Sequence, residues 1–254
     1  MTAAAQRWRS ELEAWAIPDE ILAQAPESPW GFPPELFAAP PDPADSPSRD
    51  RALEALPEGG SVLDVGCGGG AAGLALAPPA ALVVGVDESA DMLRSFERAA
   101  DEHGVAHRAV RGVWPGVAAE AGSADVVVCH HVFYNVADLA PFATALTAAA
   151  SHRVVVELTA THPMTTSAPL WRHFWNIDRP EGPTAERAAE VLGDIGIDVN
   201  VERWSRPPRD VPREVYVRMN RQRLCLAVDR EPDVDRIMGS TNLLREVATL
   251  WWNV

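Results

Sequence analysis

The 254 residues are 47 % hydrophobic, enough for one substantial α/β domain with an N-terminal extension. A formal net charge of −14 repels phosphate backbones and argues against a nucleic-acid substrate, and every basic side chain is an arginine, which excludes Schiff-base lysines, pyridoxal phosphate enzymes and the lysine of a P-loop. Cys67, Cys129 and Cys225 are too few and too scattered for a disulfide framework or a zinc site, so a reducing, cytoplasmic setting without a metal is expected, and no apolar run is long enough to span a bilayer.

Residues 1–48 read as an arm. Arg7–Ala25 has Trp8, Leu12 and Trp15 at helical spacing, although its charged start lacks the apolar stretch of a secretory signal. Pro26–Pro47 is proline-dense, and its Trp30, Phe32 and Phe37 require something to pack on, so an ordered lid is expected here. Residues 49–254 then read as one domain. A helix at Arg49–Leu56 is followed by alternating strands and helices: strands at Ser61–Val65, Ala81–Val86, His107–Val110, Ala124–His130 and Arg153–Leu158, helices at Ala71–Leu76, Ala90–His103 and Leu139–Ala150. Such alternation implies right-handed crossovers and a parallel sheet covered on both faces. His162–Gly182 reads as a helical insertion. Beyond it come a helix at Thr184–Ile195, a strand at Asp198–Trp204, helical stretches at Pro212–Leu226 and Pro232–Met238, and a terminal strand at Glu246–Trp252.

The chemistry concentrates after the first strand. Val62-Leu63-Asp64-Val65-Gly66-Cys67-Gly68-Gly69-Gly70 runs an apolar strand into a glycine turn, where the backbone must bend tightly and a ligand can come close. Asp64, at the carboxyl end of that strand, suits a cationic group. The second strand ends in Asp87, about 20 residues beyond the loop, the spacing at which a carboxylate accepts hydrogen bonds from both hydroxyls of a ribose.

Asp64–Gly70, Gly85–Asp87 with Ser89-Ala90-Asp91-Met92-Leu93, and Ser123–Val128 resemble successive motifs of the class I S-adenosylmethionine-dependent methyltransferases. The resemblance covers roughly Arg49–Trp204. It implies a Rossmann-like, doubly wound, seven-stranded sheet, mostly parallel with an antiparallel last strand, and S-adenosylmethionine as cofactor. It carries Gly66, Gly68 and Gly70 to the cofactor loop, Asp87 to the ribose and Asp64 to the methionyl ammonium. Where many members place an acid or amide against the adenine, this chain has Arg111-Gly112-Val113-Trp114-Pro115, leaving the backbone of Val113 and the ring of Trp114 for that contact.

The end of the fourth strand supplies Cys129-His130-His131. The resemblance makes the residue nearest the strand, His130, a cofactor neighbour, so His131 is the better general-base candidate and His130 the second. Trp171, Phe174 and Trp175 in the insertion are expected to be hydrophobic packing, with an aromatic cage as the alternative, and Arg218, Arg221 and Arg223 to decorate an exposed helix face, with binding of an acidic substrate as the alternative. No Asn/Asp-Pro-Pro-aromatic segment follows the fourth strand, and no lysine can complete an RNA ribose methyltransferase tetrad, so a small-molecule acceptor is expected, with neither nucleic acid nor membrane as partner. Two rival readings remain: a nicotinamide-dependent oxidoreductase, and a methyltransferase-like binding protein without catalysis. An antiparallel final strand inserted between the fifth and sixth would decide against the oxidoreductase.

Overall fold

The computed structural model describes residues 1–30, 45–207, 211–240 and 244–254. Its strands are β1 (Ser61–Val65), β2 (Leu82–Asp87), β3 (Ala106–Arg111), β4 (Ala124–His130), β5 (Ala150–Thr159), β6 (Asn200–Arg206) and β7 (Arg245–Asn253). The helices are α1 (Ala3–Glu13), α2 (Asp19–Leu22), α3 (Pro47–Ala55), α4 (Ala90–His103), α5 (Ala118–Ala121), α6 (Leu139–Ala149), α7 (Ala168–Trp175), α8 (Ala185–Asp194), α9 (Arg213–Arg223) and α10 (Glu231–Ile237).

The strands form one sheet in the order β3-β2-β1-β4-β5-β7-β6. From β3 to β5 the neighbours are parallel, whereas β7 runs antiparallel to both β5 and β6. An ordinary dinucleotide-binding sheet has the order 3-2-1-4-5-6 with a parallel sixth strand. The inserted β7 therefore decides against the oxidoreductase.

Alternation along the strands sends side chains to two cores. Leu63, Val65, Val127, Cys129, Val154 and Val156 face one core, filled by α6, α8 and Trp8 of α1. Val62, Val83, Val126, Val128 and Val155 face the other, filled by α3 and by Leu93, Phe96 and Ala100 of α4. A third, smaller core joins Ile17 and Ile21 to Leu170, Trp171, Val217, Leu224 and Val234, so α2, α7, α9 and α10 make a helical cap.

Two sequence expectations change. The helix expected at Ala71–Leu76 is only a 3-10 turn at Leu74–Leu76. The Gly73 N–H donates to the Asp64 carboxylate, and Pro78 and Pro79 lack the N–H groups that would extend a helix. The Arg7–Ala25 helix is two helices, with Pro18 as the N-cap of the second. The N-terminal segment packs on two of the three cores. Trp8 is wholly buried in the main core and donates its Nε1–H to the Val136 carbonyl at 2.7 Å, while Ile17 and Ile21 belong to the cap. Phe32, Phe37 and most of the proline-rich stretch lie outside the described residues.

Candidate active site

The sequence-selected glycines are the three loop residues with left-handed backbone: φ is +73° at Gly66, +52° at Gly68 and +90° at Gly70. Gly66 and Gly70 also leave room for the chain itself. A Cβ at Gly66 would strike Val132 of the loop after β4, and one at Gly70 would meet Leu74 and Phe96. Asp87 ties the turn down, since its Oδ2 accepts from Gly68 N at 2.9 Å and its Oδ1 from Ser89 N at 2.8 Å. Each oxygen keeps a further lone pair for a ligand hydroxyl.

Asp64 is fully buried beneath this loop. Its Oδ2 accepts from Gly73 N at 2.8 Å, but its Oδ1 has no hydrogen-bond partner. Burial pushes the carboxyl up to about 7, despite the Gly73 bond, with repulsion from Asp87 adding to the rise. A buried acid with one vacant acceptor beside a glycine turn fits a cofactor that brings an ammonium group.

The second cluster lies at the carboxyl ends of β4 and β5. His130 pairs in register with Glu157. Its Nε2 is buried without a partner, and burial pushes the imidazole down to about 4 against the pull of Glu157. His131 adopts φ +60°, a conformation that costs a non-glycine residue and concentrates at functional sites. Glu157 holds it twice: the His131 N–H donates to the Glu157 carbonyl at 2.6 Å, and Nε2 lies 3.0 Å from Glu157 Oε1. Arg206, at the end of β6, also donates to Glu157 Oε1 and places Nη1 3.3 Å from His131 Nε2. Burial alone would raise the Glu157 carboxyl, but His130, His131 and Arg206 outweigh it and hold that group well below the usual carboxylate range.

Residues 62–153 match the family model described as "Methyltransferase domain". No curated protein matches the sequence. Among solved structures, the chain is similar to YcgJ from Bacillus subtilis (TM-score 0.56, 17 % identity, covering 81 % of this chain and 97 % of that one). It is also similar to precorrin 8w decarboxylase from Methanobacterium thermoautotrophicum (0.52, 18 %, 88 % and 100 %) and to coclaurine N-methyltransferase (0.53, 14 %, 98 % and 94 %). At these identities the likenesses speak for the fold; the motif-bearing segment matched by the family model speaks for the activity. Residues 62–153 therefore carry a methyltransferase domain, set in a Rossmann-like sheet.

Two sequence expectations about the sites of this methyltransferase need correction. Trp114 is a core residue, 5 % exposed, with its Nε1–H donated to the Phe142 carbonyl at 3.3 Å, so it is not a free ring for adenine; Val113 is exposed and keeps that expectation. The aromatics of the insertion pack into the cap, as expected, and form no cage. The Arg179 guanidinium covers Trp171 at 3.8 Å, Arg230 lies over Phe174 at 5.1 Å, and Trp175 Nε1 donates to the Leu224 carbonyl. Of the arginines assigned to an exposed helix face, Arg221 is buried and paired with Glu27 and Glu231. Glu157 and Arg206 escaped the sequence reading, although a lone acid inside Val154-Val155-Val156-Glu157-Leu158 is a signal. A carboxylate in a central strand must be buried, and so must find partners.

Proposed function

We propose that this methyltransferase acts on a small-molecule acceptor in the cytoplasm, with His131 as the general base. The observation that carries this reading is the double tether of His131 to Glu157 beside the cofactor loop. S-adenosylmethionine, when bound, supplies an electrophilic methyl group on a sulfonium. Gly66, Gly68 and Gly70 shape its cradle, Asp87 takes the ribose hydroxyls, Asp64 Oδ1 takes the ammonium, and Val113 offers its backbone to the adenine. His130, neutral at physiological pH and lacking a partner at Nε2, is an uncharged neighbour for the sulfonium side. Its depressed basicity makes it a poor proton acceptor, so the base role falls to His131.

Two groups compete for His131 Nε2. The ionised Glu157 carboxylate is nearer than the Arg206 nitrogen and makes the stronger, charge-assisted bond, so Nε2 carries the proton and Nδ1 the lone pair. Nδ1 then takes the acceptor's proton as the methyl is transferred, while Arg206 keeps Glu157 ionised. The first 48 residues serve as a lid, a role supported by Trp15, whose ring stacks on His162 of the insertion at 4.4 Å. The three cysteines are free and buried, which supports a reducing compartment, and the net charge of −14 supports an acceptor other than nucleic acid.

The test is incubation with methyl-labelled S-adenosylmethionine and a low-molecular-mass metabolite extract. Label in a small-molecule product that fades with His131→Gln supports the reading. Label confined to protein or nucleic acid refutes the small-molecule assignment.

A further inference from the structure

Arg179, in the loop between α7 and α8, is the only arginine among the described residues with two buried nitrogens that lack a hydrogen-bond partner. Those atoms are Nε and Nη2. They lie on one edge of the guanidinium and point their N–H bonds the same way, the fork that grips a carboxylate with two parallel bonds. The remaining nitrogen, Nη1, donates to the carbonyls of Ala16 at 2.9 Å and Ala14 at 3.4 Å, which fixes the plane of the group. Trp171 covers one face at 3.8 Å, and Trp15 lies 5.9 Å away. The adjacent acid, Asp178, is paired with Arg172. Arg179 is only half-buried as a residue, but these two nitrogens are closed to solvent, and a desolvated donor edge left unused is costly unless a ligand completes it.

A chain of packed rings joins this fork to the loop that holds His131. Trp15 stacks on His162 at 4.4 Å, and His162 meets the edge of Tyr134 at 5.3 Å. Tyr134 lies three residues beyond His131 and donates its hydroxyl to the Thr159 carbonyl at the end of β5. Burial, with Arg223 nearby, pushes the His162 imidazole down to about 4, so this ring is neutral, and burial alone lowers Arg179, a desolvated cation that an anion would relieve.

We propose that the methyl acceptor carries a carboxylate that docks on the Nε/Nη2 fork of Arg179, on the side of the cap that packed Trp15, His162 and Tyr134 connect to the His131 loop. The inference rests on the methyltransferase reading and names the class of acceptor. Both fork nitrogens are closed to water, so the ligand displaces part of the cap as it enters.

The test uses benzoate as the simplest planar carboxylate and benzamide as its neutral counterpart, titrated into the full chain saturated with S-adenosylhomocysteine. Tryptophan fluorescence reads the binding, and calorimetry on the same samples reads the cofactor product. Benzoate should bind about tenfold or more tighter than benzamide, the range for a charge-assisted pair of hydrogen bonds. Arg179→Met should abolish that margin and Arg179→Lys should reduce it, both with unchanged S-adenosylhomocysteine affinity. Equal binding of the two probes to the wild type overturns the inference without any variant. So does a preference that survives in Arg179→Met. Failure of the wild type to bind S-adenosylhomocysteine overturns the methyltransferase reading instead.

Discussion

Asp64→Asn separates what the buried acid costs the free protein from what it gives the cofactor. The folded carboxyl is raised from 3.8 to about 7, a gap that amounts to about 4 kcal/mol against the ionised form. A raised acid contributes its full stability below pH 3.8 and loses it as the pH climbs to about 7, so above that pH the ligand-free protein carries an unpaired buried charge. Asparagine keeps an acceptor for Gly73 N and removes the charge. The variant should therefore unfold at higher urea than wild type at about pH 8, by up to ~4 kcal/mol, and show a smaller gain at about pH 6. Binding should move the other way. If Oδ1 takes an ammonium, wild-type affinity for S-adenosylhomocysteine should fall about tenfold per pH unit below about 7 as Asp64 protonates. The variant should bind roughly 10–100-fold more weakly at neutral pH and show a flatter profile. Calorimetric titrations across that range, paired with urea melts, give both quantities. Unchanged affinity in a folded Asp64→Asn protein would refute the ammonium assignment, and equal stability at the two pH values would refute the buried charge.

Asp87→Ala should weaken S-adenosylhomocysteine binding by about 1.5–3 kcal/mol, measured by calorimetry, because it removes a carboxylate that also fixes Gly68 and Ser89. His131→Gln should lower turnover by roughly 10²–10⁴-fold with little change in cofactor affinity; the reverse pattern would make it a cofactor contact instead of a base. Trp8→Ala should cost about 3–5 kcal/mol of unfolding free energy, since its ring is wholly buried, and a loss below about 1 kcal/mol would show that α1 docks only loosely. Because the Glu157 carboxyl is held low in the fold, its stabilisation is complete above its ordinary value and is lost as the pH falls below it. Glu157→Gln should accordingly flatten the acid limb of a pH–stability curve. An unchanged limb would mean that its partners do not hold the charge.

The parts of the molecule that could be read from the sequence were those governed by local rules. Ser61–Val65, Ala90–His103 and Ala124–His130 have the predicted boundaries because apolar runs, the Ser89 cap and the Gly104 stop act within a few residues. Gly66, Gly68 and Gly70 were selected by a loop motif whose backbone demands are equally local. What could not be read depends on contacts between segments far apart in the chain. Arg206 and Glu157 meet across the antiparallel β7, forty-nine residues apart, and nothing within β6 marks its terminal arginine as a partner for a buried acid. Trp114 looked like a ring beside the adenine, yet the Phe142 carbonyl draws it into the core. The helix expected after the glycine loop shrank to one turn because Asp64 competes for the Gly73 N–H, a tertiary contact that outweighs helical propensity.

The central claim is that the turn from Asp64 to Gly70, closed by Asp87, is an S-adenosylmethionine site. Calorimetric titration of the full chain with S-adenosylmethionine, S-adenosylhomocysteine and NAD at neutral pH tests it most directly. The account predicts saturable one-to-one binding of the first two, weakened in both Asp64→Asn and Asp87→Ala, and no binding of NAD. Binding of NAD in their place, or saturation by none of the three, would contradict it.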